Sequence, residues 1–401
     1  MDFSIDPQTQ ELLEKIQDLV ERKLYPLEAD LEISGIKSLL PRLGEIREEV
    51  RELGFWCPHI SREHGGMGLS LVQHALVSAV LGRCQLGHYV FNCQAPDAGN
   101  MEILIKNGTS EQKQAFLEPL LEGRIRSCFA MTEPERPGSN PTWMETSAVK
   151  DGQDYVINGR KWFTSAADGA SFAIVMAVTD AEAGRYDRAS MILVPTDTPG
   201  FRRLRNIPIM GHVGEDYFSH AEVVFEDCRV PRENLLGAEG AGFRIAQQRL
   251  GTGRIHHCMR WIGIGERSIE LMCQRVADRE LAPGRPLGSR QIVQTWIADS
   301  WAEIRAARLM VLDAAWKMEQ DGQLGARKEI SAIKFYAANV LLRVLDRAIQ
   351  AHGGLGVTSD TPLAAFFRNE RAGRIYDGPD EVHRIVVARE LLKPYGVKVT
   401  F

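Results

Sequence analysis

No run of the sequence approaches the ~20 consecutive apolar residues that span a bilayer. The N-terminal stretch MDFSIDPQTQELLEK carries acids where a secretory leader has bases ahead of an apolar core. A cytosolic (cytoplasmic) location is therefore the simplest expectation. Cysteine is scarce and unpatterned: seven thiols, at 57, 84, 93, 128, 228, 258 and 273, are odd in number and contain no C-x-x-C pair. That argues against a zinc knuckle, any other metal site and a disulfide framework, and leaves reduced, packed thiols. Basic clusters are missing too. With 48 Lys plus Arg against 53 Asp plus Glu, the formal charge is −5, so nothing suggests nucleic acid or anionic lipid as a partner. No G-x-G-x-x-G follows a strand, and neither G-x-x-x-x-G-K-[ST] nor G-x-S-x-G occurs, which disfavours a Rossmann dehydrogenase, a P-loop NTPase and a serine hydrolase.

What is present is a well-mixed chain of 401 residues, 44% hydrophobic and 25% charged, the composition of a soluble globular protein of two or three domains with a small or amphiphilic ligand. Leu13, Ile16, Val20 and Leu24 recur at spacings of three and four and predict an amphipathic helix over residues 7 to 29. Leu71 to Leu81 is nearly all apolar and predicts a buried helix. From about 129 the pattern changes to short β-rich runs: 147 to 150, 155 to 157, 172 to 179, 190 to 195 and 221 to 225, with Asp151-Gly152 as a turn signal. Long helices return after Gly237. Val293, Ile297, Trp301, Ile304, Ala307, Val311 and Ala315 form one stripe that reads as core, and a helix from Ala326 to His352 ends at Gly353-Gly354. The fold class expected is α+β multidomain: a helical domain over 1–128, a β domain over 129–236 and a helical domain over 237–401.

Six separated segments, GFWCPHISREHGGMGLS (54 to 70), APDAGNMEIL (95 to 104), FAMTEPERPGSN (129 to 140), NGRKWFTS (158 to 165), QAHGGLGV (350 to 357) and RIYDGPDEVHRIVVARE (374 to 390), together resemble the acyl-CoA dehydrogenase family. LGTGRIHHCMR (250 to 260) and DGPDEVH (377 to 383) are most similar to the branch that in animals is fused to a kinase-like domain. The resemblance implies a middle β-barrel or sandwich, a C-terminal four-helix bundle, FAD between them, an acyl-CoA substrate, an electron-transferring flavoprotein as partner, and a homotetramer or homodimer.

Residue by residue, the resemblance places Phe129, Met131 and Thr132 beside the flavin ring, where fixed dipoles suit a ring that becomes anionic. It puts Trp162 over the ring and the Thr164 hydroxyl near the hydride-accepting nitrogen. Gln350, Gly353 and Gly354 correspond to the pyrophosphate contact, and Arg279 and Gln291 to the adenine half, although Leu281-Ala282-Pro283-Gly284 is one residue longer than the usual step between them. Ser139 matches a serine near the acyl-CoA mouth, counted with both cofactor and substrate, and Arg254 an arginine near the reacting centre. Pro379 and Glu381 are carried over with the cofactor contacts. Plainer readings stand beside these: a strand-to-turn junction at Pro134 and Pro137, a core tryptophan, a helix C-cap at the glycines. His256 and His257 read as structural rather than as ligands.

The catalytic base is expected at Asp377, in Tyr376-Asp377-Gly378-Pro379, where most of the family has glutamate. Aspartate is one methylene shorter, so the substrate proton would sit roughly an ångström further away, an error that can cost about 10²-fold. The alternative position, the residue before Arg254, is Gly253 and has no side chain. The same DGPDE run would also start a helix, with Pro379 in its first turn and Asp380 and Glu381 at its positive end. The leading expectation is α,β-dehydrogenation of an acyl-CoA to a trans-2-enoyl-CoA, with a 4-hydroxy or 4-phospho acyl chain as a branch-level option. Its competitors are a flavin oxidase resembling nitroalkane oxidases, which also use aspartate, and a catalytically silent acyl-CoA-binding protein.

Overall fold

The computed structural model describes residues 4–397. Its first third is helical: α1 (Pro7–Leu19), α2 (Glu28–Ser34), α3 (Ile36–Glu52), α4 (Leu71–Gly82), α5 (Gly87–Val90), α6 (Asp97–Asn107), α7 (Ser110–Gln112) and α8 (Glu118–Leu121). The single helix expected over 7 to 29 is instead three pieces followed by the start of α2. α1 gives way to a π turn over Val20–Leu24 and a 3-10 turn over Tyr25–Leu27, because Pro26 has no N–H to continue the ladder. Its apolar stripe is nevertheless buried as a unit, from Leu13 to Leu24. α4 starts at a complete capping box made by Ser70 and Gln73 and buries most of its length, as its continuous apolar sequence requires.

The middle of the chain is one eight-stranded sheet. Its strands are β1 (Ser127–Ala130), β2 (Ser147–Asp151), β3 (Asp154–Ser165), β4 (Phe172–Val178), β5 (Ala189–Pro195), β6 (Phe201–Asn206), β7 (His220–Pro231) and β8 (Leu235–Leu236). The order runs β6-β7-β3-β2-β4-β5-β8, with β1 pairing parallel to β4. The sheet curls over its own core of Tyr155, Ile157, Val175, Val194, Val223 and Phe225. β6 has no counterpart among the expected strands: its sequence, FRRLRN, has too little apolar alternation to stand out.

The last third is built on α9 (Gly242–Asp278), α10 (Gln291–Gly325), α11 (Arg327–His352), α12 (Leu363–Glu370) and α13 (Asp380–Leu392), with a small hairpin, β9 (Glu280–Ala282) and β10 (Arg285–Pro286), between α9 and α10. α9, α10 and α11 pack on one another, α13 lies along α11, and α4 packs against α9, joining the first and last thirds. Val293, Ile304, Ala307, Val311 and Ala315 are buried as the stripe requires, but Trp301 is 64% exposed. Eight residues from Val293 is 2.2 turns, which carries Trp301 about 80° round the helix and off the buried face.

Four histidines are packed where α4 and α9 meet. His74 lies between His59 and His256, with ring centroids 5.8 and 4.3 Å away, and the His88 Nε2 is 2.9 Å from the Ser78 hydroxyl. Neither ring nitrogen of His74 has a hydrogen-bond partner. Burial pushes His59 down to about 4 and His256 to about 3, and holds His74 and His88 well below the ordinary value. The unfolded chain therefore takes up these protons before the folded one. Stability is intact above the unfolded value of 6.5 and is lost as pH falls toward the folded values. Each depressed histidine costs about 1.4 kcal/mol per pH unit across that window. Denaturant midpoints measured as a function of pH should fall steeply below about pH 6.5, and His74→Leu should flatten the slope by about one proton.

Candidate active site

The β wall of the site begins with a buried ion pair. Lys161 is 0% exposed, and its Nζ donates to Glu133 Oε1 at 2.9 Å and to the Met131 carbonyl at 2.8 Å. Glu133 also accepts the backbone N–H groups of Glu145 and Thr146, each at 2.8 Å. Burial lowers Lys161 to about 8 although Glu133 opposes the shift. A second tie joins the same two segments: the Thr132 hydroxyl donates to the Trp162 carbonyl at 2.8 Å, and the Trp162 N–H to the Thr132 carbonyl at 3.0 Å. The segment 129–134 is thus locked onto β3.

β3 is bulged at this point. Lys161 pairs with Val223 and Thr164 with Ala221, so three steps on β3 oppose two on β7, and Phe163 has a φ of 49°. Plain alternation would put Trp162 and Thr164 on one face. The bulge inverts the faces beyond Phe163, so Thr164 turns inward with Lys161. Thr164 is fully buried, and its hydroxyl has no partner. Trp162, Phe163 and Ser165 border the cavity instead.

That cavity, of about 2710 Å³, opens where the three regions meet, with His88 and Gly99 from the first, Phe129 and Trp162 from the sheet, and Arg254 and Asp377 from the last. Asp377 enters it on a left-handed backbone, φ 54°, between Tyr376 and Gly378. Two donors hold its carbonyl, Arg254 Nε at 3.0 Å and His383 Nε2 at 3.1 Å. Gly378 has a φ of 103°, and a Cβ there would lie 2.7 Å from His383 Nε2, so both the conformation and the space require glycine. Pro379 is the N-cap of α13, one position before the first turn expected for it. Burial by itself would raise the Asp377 carboxyl. His257, with Nε2 3.3 Å from Oδ2, together with Lys334 and Arg254, outweighs burial and holds the group well below the usual carboxylate range.

Of the residues singled out in the sequence, the structure gathers Phe129, Met131, Thr132, Ser139, Trp162, Arg254, Asp377 and Pro379 around this cavity. Arg279, Gln291, Gln350, Gly353, Gly354 and Glu381 lie at exposed positions that do not border it. The first two flank the α9–α10 hairpin, and the next three end α11. Three neighbours of Asp377 carried little sequence signal. His257 lies three positions after Arg254 on α9. Lys334 is buried with its Nζ on the Gly373 carbonyl at 2.6 Å. Arg249 donates to Asn100 Oδ1 at 3.0 Å and to the Pro96 carbonyl at 3.3 Å, and has no carboxylate within ion-pair distance among the described residues.

Family models cover almost the whole chain: acyl-CoA dehydrogenase N-terminal domain over 6–124, middle domain over 128–228 and C-terminal domain over 240–392. The chain belongs to the acyl-CoA dehydrogenase family. It is 43% identical over 405 residues to acyl-CoA dehydrogenase family member 11 of Gallus gallus, covering 98% of this chain and 51% of that protein, so it spans about half the length of this curated relative. It is also 43% identical to FadE2 of Mycobacterium tuberculosis, covering 97% of this chain and 96% of FadE2. A solved structure from Mycobacterium abscessus superposes with a TM-score of 0.93 at 41% identity, covering 98% of this chain and 100% of the other.

Acyl-CoA dehydrogenases are flavin-dependent oxidoreductases that act on CH–CH bonds with FAD. The residues present fit that group. The cavity exceeds the roughly 300–1,000 Å³ of a pocket for one drug-sized ligand and has room for a dinucleotide beside a CoA ester. At Gly353, φ 63°, and at Gly354, no heavy atom lies within 4 Å of where a Cβ would stand, so backbone is open to close approach. Met131, Thr132 and the flat ring of Trp162 line the cavity, while the glycine pair lies outside it. Lys161→Met should leave Glu133 buried and uncompensated, costing about 3–5 kcal/mol. The expected outcome is a lower melting temperature together with loss of bound flavin, read as the ratio of visible to ultraviolet absorbance.

Proposed function

We propose that the chain is an FAD-dependent acyl-CoA dehydrogenase that forms a trans-2-enoyl-CoA, with Asp377 removing the proton from Cα. The observation that carries this reading is the Asp377 carboxyl at the cavity wall, held by its carbonyl from Arg254 and His383 and faced by His257. When bound, FAD supplies the acceptor for the hydride that leaves Cβ. The chain's own part is to hold an oxygen of Asp377 against the α-proton and to exclude water. A carboxylate kept low by donors in the open cavity becomes a better proton acceptor once an acyl chain displaces the surrounding water, because desolvation disfavours its charged form. The backbone N–H of Asp377 donates to no group among the described residues and is free for a thioester oxygen beside the base.

The finer substrate reading is an acyl chain with a 4-hydroxy or 4-phospho group. Arg249 supports it: a half-buried guanidinium at the cavity wall, over the Phe129 ring at 4.2 Å and donating to neutral oxygens, suits an oxygen-rich substituent. An electron-transferring flavoprotein is the proposed acceptor. A homodimer or homotetramer is supported by the exposed Ile292, Trp301 and Trp316 on α10, and by the exposed positions of Gln350, Gly353 and Gly354, which a neighbouring copy's cofactor could reach.

Anaerobic addition of short, long, 4-hydroxy and 4-phospho acyl-CoAs to the yellow holoprotein tests the activity. Bleaching of the visible absorbance by at least one class is expected. Oxygen consumption with a nitroalkane and no bleaching by any acyl-CoA would move the assignment to an oxidase. Asp377→Ala should slow bleaching by about 10²–10⁴-fold. Gly253 has open space at its Cβ, so adding Gly253→Glu to Asp377→Ala should restore part of the rate. Arg249→Met should remove any preference for 4-substituted chains while leaving simple acyl-CoAs as substrates.

A further inference from the structure

Asp377 is shorter than glutamate, and its left-handed backbone fixes the start of the side chain but not the direction of the carboxylate. What fixes the direction is legible in the atoms behind it. His257 Nε2 lies 3.3 Å from Asp377 Oδ2, and its other ring nitrogen, Nδ1, lies 3.5 Å from Arg260 Nη2. A carboxylate can only accept, so the ring N–H that meets it is on Nε2, while Nδ1 faces the Arg260 guanidinium, which offers it no acceptor. Arg260 is clamped in turn. Its Nη1 and Nη2 donate to Glu370 Oε1 and Oε2 at 2.6 and 2.9 Å, and Nη2 also donates to the Tyr376 hydroxyl at 3.0 Å. Glu370 is buried and takes a further bond from Trp261 Nε1 at 2.7 Å. The Tyr376 ring packs edge-on to His257 at 5.2 Å, and Trp261 stacks along it at 6.3 Å. A chain of contacts therefore runs from Glu370 at the end of α12, through Arg260 and His257 on α9, to the base.

We infer that His257 is the positioning residue of Asp377: an imidazole, held in place between Arg260 and the rings of Tyr376 and Trp261, that donates from Nε2 to Oδ2 and leaves Oδ1 to take the substrate proton. The inference rests on Asp377 being the base, as proposed above. It gives a physical reason why the shorter acid serves: the carboxylate is held from behind as well as through its backbone.

The other groups around Asp377 are Arg249, Arg254 and Cys258 on α9, Lys334 on α11, Tyr376 beside it, and Asp380 and His383 on α13. All are retained in variants of His257, so a change in pH profile on substitution reports the imidazole. The experiment is the rate of anaerobic flavin reduction at saturating acyl-CoA, followed from about pH 5 to about pH 9, for the wild type, His257→Phe, His257→Gln and Asp377→Asn. His257→Phe should slow reduction about tenfold with little change in the half-saturating substrate concentration, and should move the acid limb up by about one pH unit. His257→Gln, whose amide nitrogen reaches as far as Nε2, should recover most of both. If the Phe variant does not retain flavin, His257→Asn, too short to reach Oδ2, carries the same expectation. An unmoved acid limb and a rate within about twofold of wild type, while Asp377→Asn is inactive, would overturn the role of His257 and leave the base in place. Full turnover by Asp377→Asn would instead overturn the base and this inference with it.

Discussion

A short acid on a left-handed backbone has to be held from several sides at once, and much of the last third of the chain serves that end. Arg254 and His383 grip the Asp377 carbonyl from α9 and from α13. Lys334, from α11, holds the Gly373 carbonyl four residues upstream, beneath the rings of Trp261 and Tyr376. Three long-range elements thus converge on one turn, and each depends on the packing of the bundle for its place. A buried lysine with only a carbonyl and two ring faces as partners is costly in itself. Its retention makes sense where the position of the following residues matters more than local stability.

The opposite wall is held by a different device, to similar effect. Lys161 and Glu133 are buried in the sheet and satisfy four contacts between them, and these knit the strand-to-turn segment 129–134 to β3. The bulge in β3 then turns Trp162 and Phe163 together toward the cavity, which a regular strand cannot do with adjacent residues. The cavity is therefore bounded by two walls whose geometry is set by buried charge, with the apolar cores of sheet and bundle behind them.

The fold class was legible in the sequence because the switch from three-and-four spacing to short β-rich runs and back is strong and long. What escaped was local. Pro26 interrupts the hydrogen-bond ladder just beyond a stripe that periodicity alone extends as one helix to residue 29. Trp301 sits at the edge of its stripe and faces out. Thr164 shares a face with Trp162 only if the strand is regular, and nothing in NGRKWFTS announces the extra residue. Asp377 and Arg254 stood out because of the motifs that contain them. His257 and Lys334 did not, since a histidine on a mixed helix and a lysine on an amphipathic one have ordinary uses, and only the three-dimensional meeting of α9, α11 and the turn before α13 gives them another. Arg279, Gln291 and the glycine pair belong to motifs of the same rank, yet the single chain leaves them exposed and apart from Asp377.

In the proposed reaction Asp377 takes the α-proton in the step that reduces the flavin. The most direct measurement is the rate of anaerobic flavin bleaching with acyl-CoA deuterated at Cα, compared with the unlabelled ester, in the wild type and in Asp377→Ala. A primary isotope effect on a fast bleaching phase is expected in the wild type, with loss of that phase in the variant. Bleaching at the same rate in both proteins would contradict it.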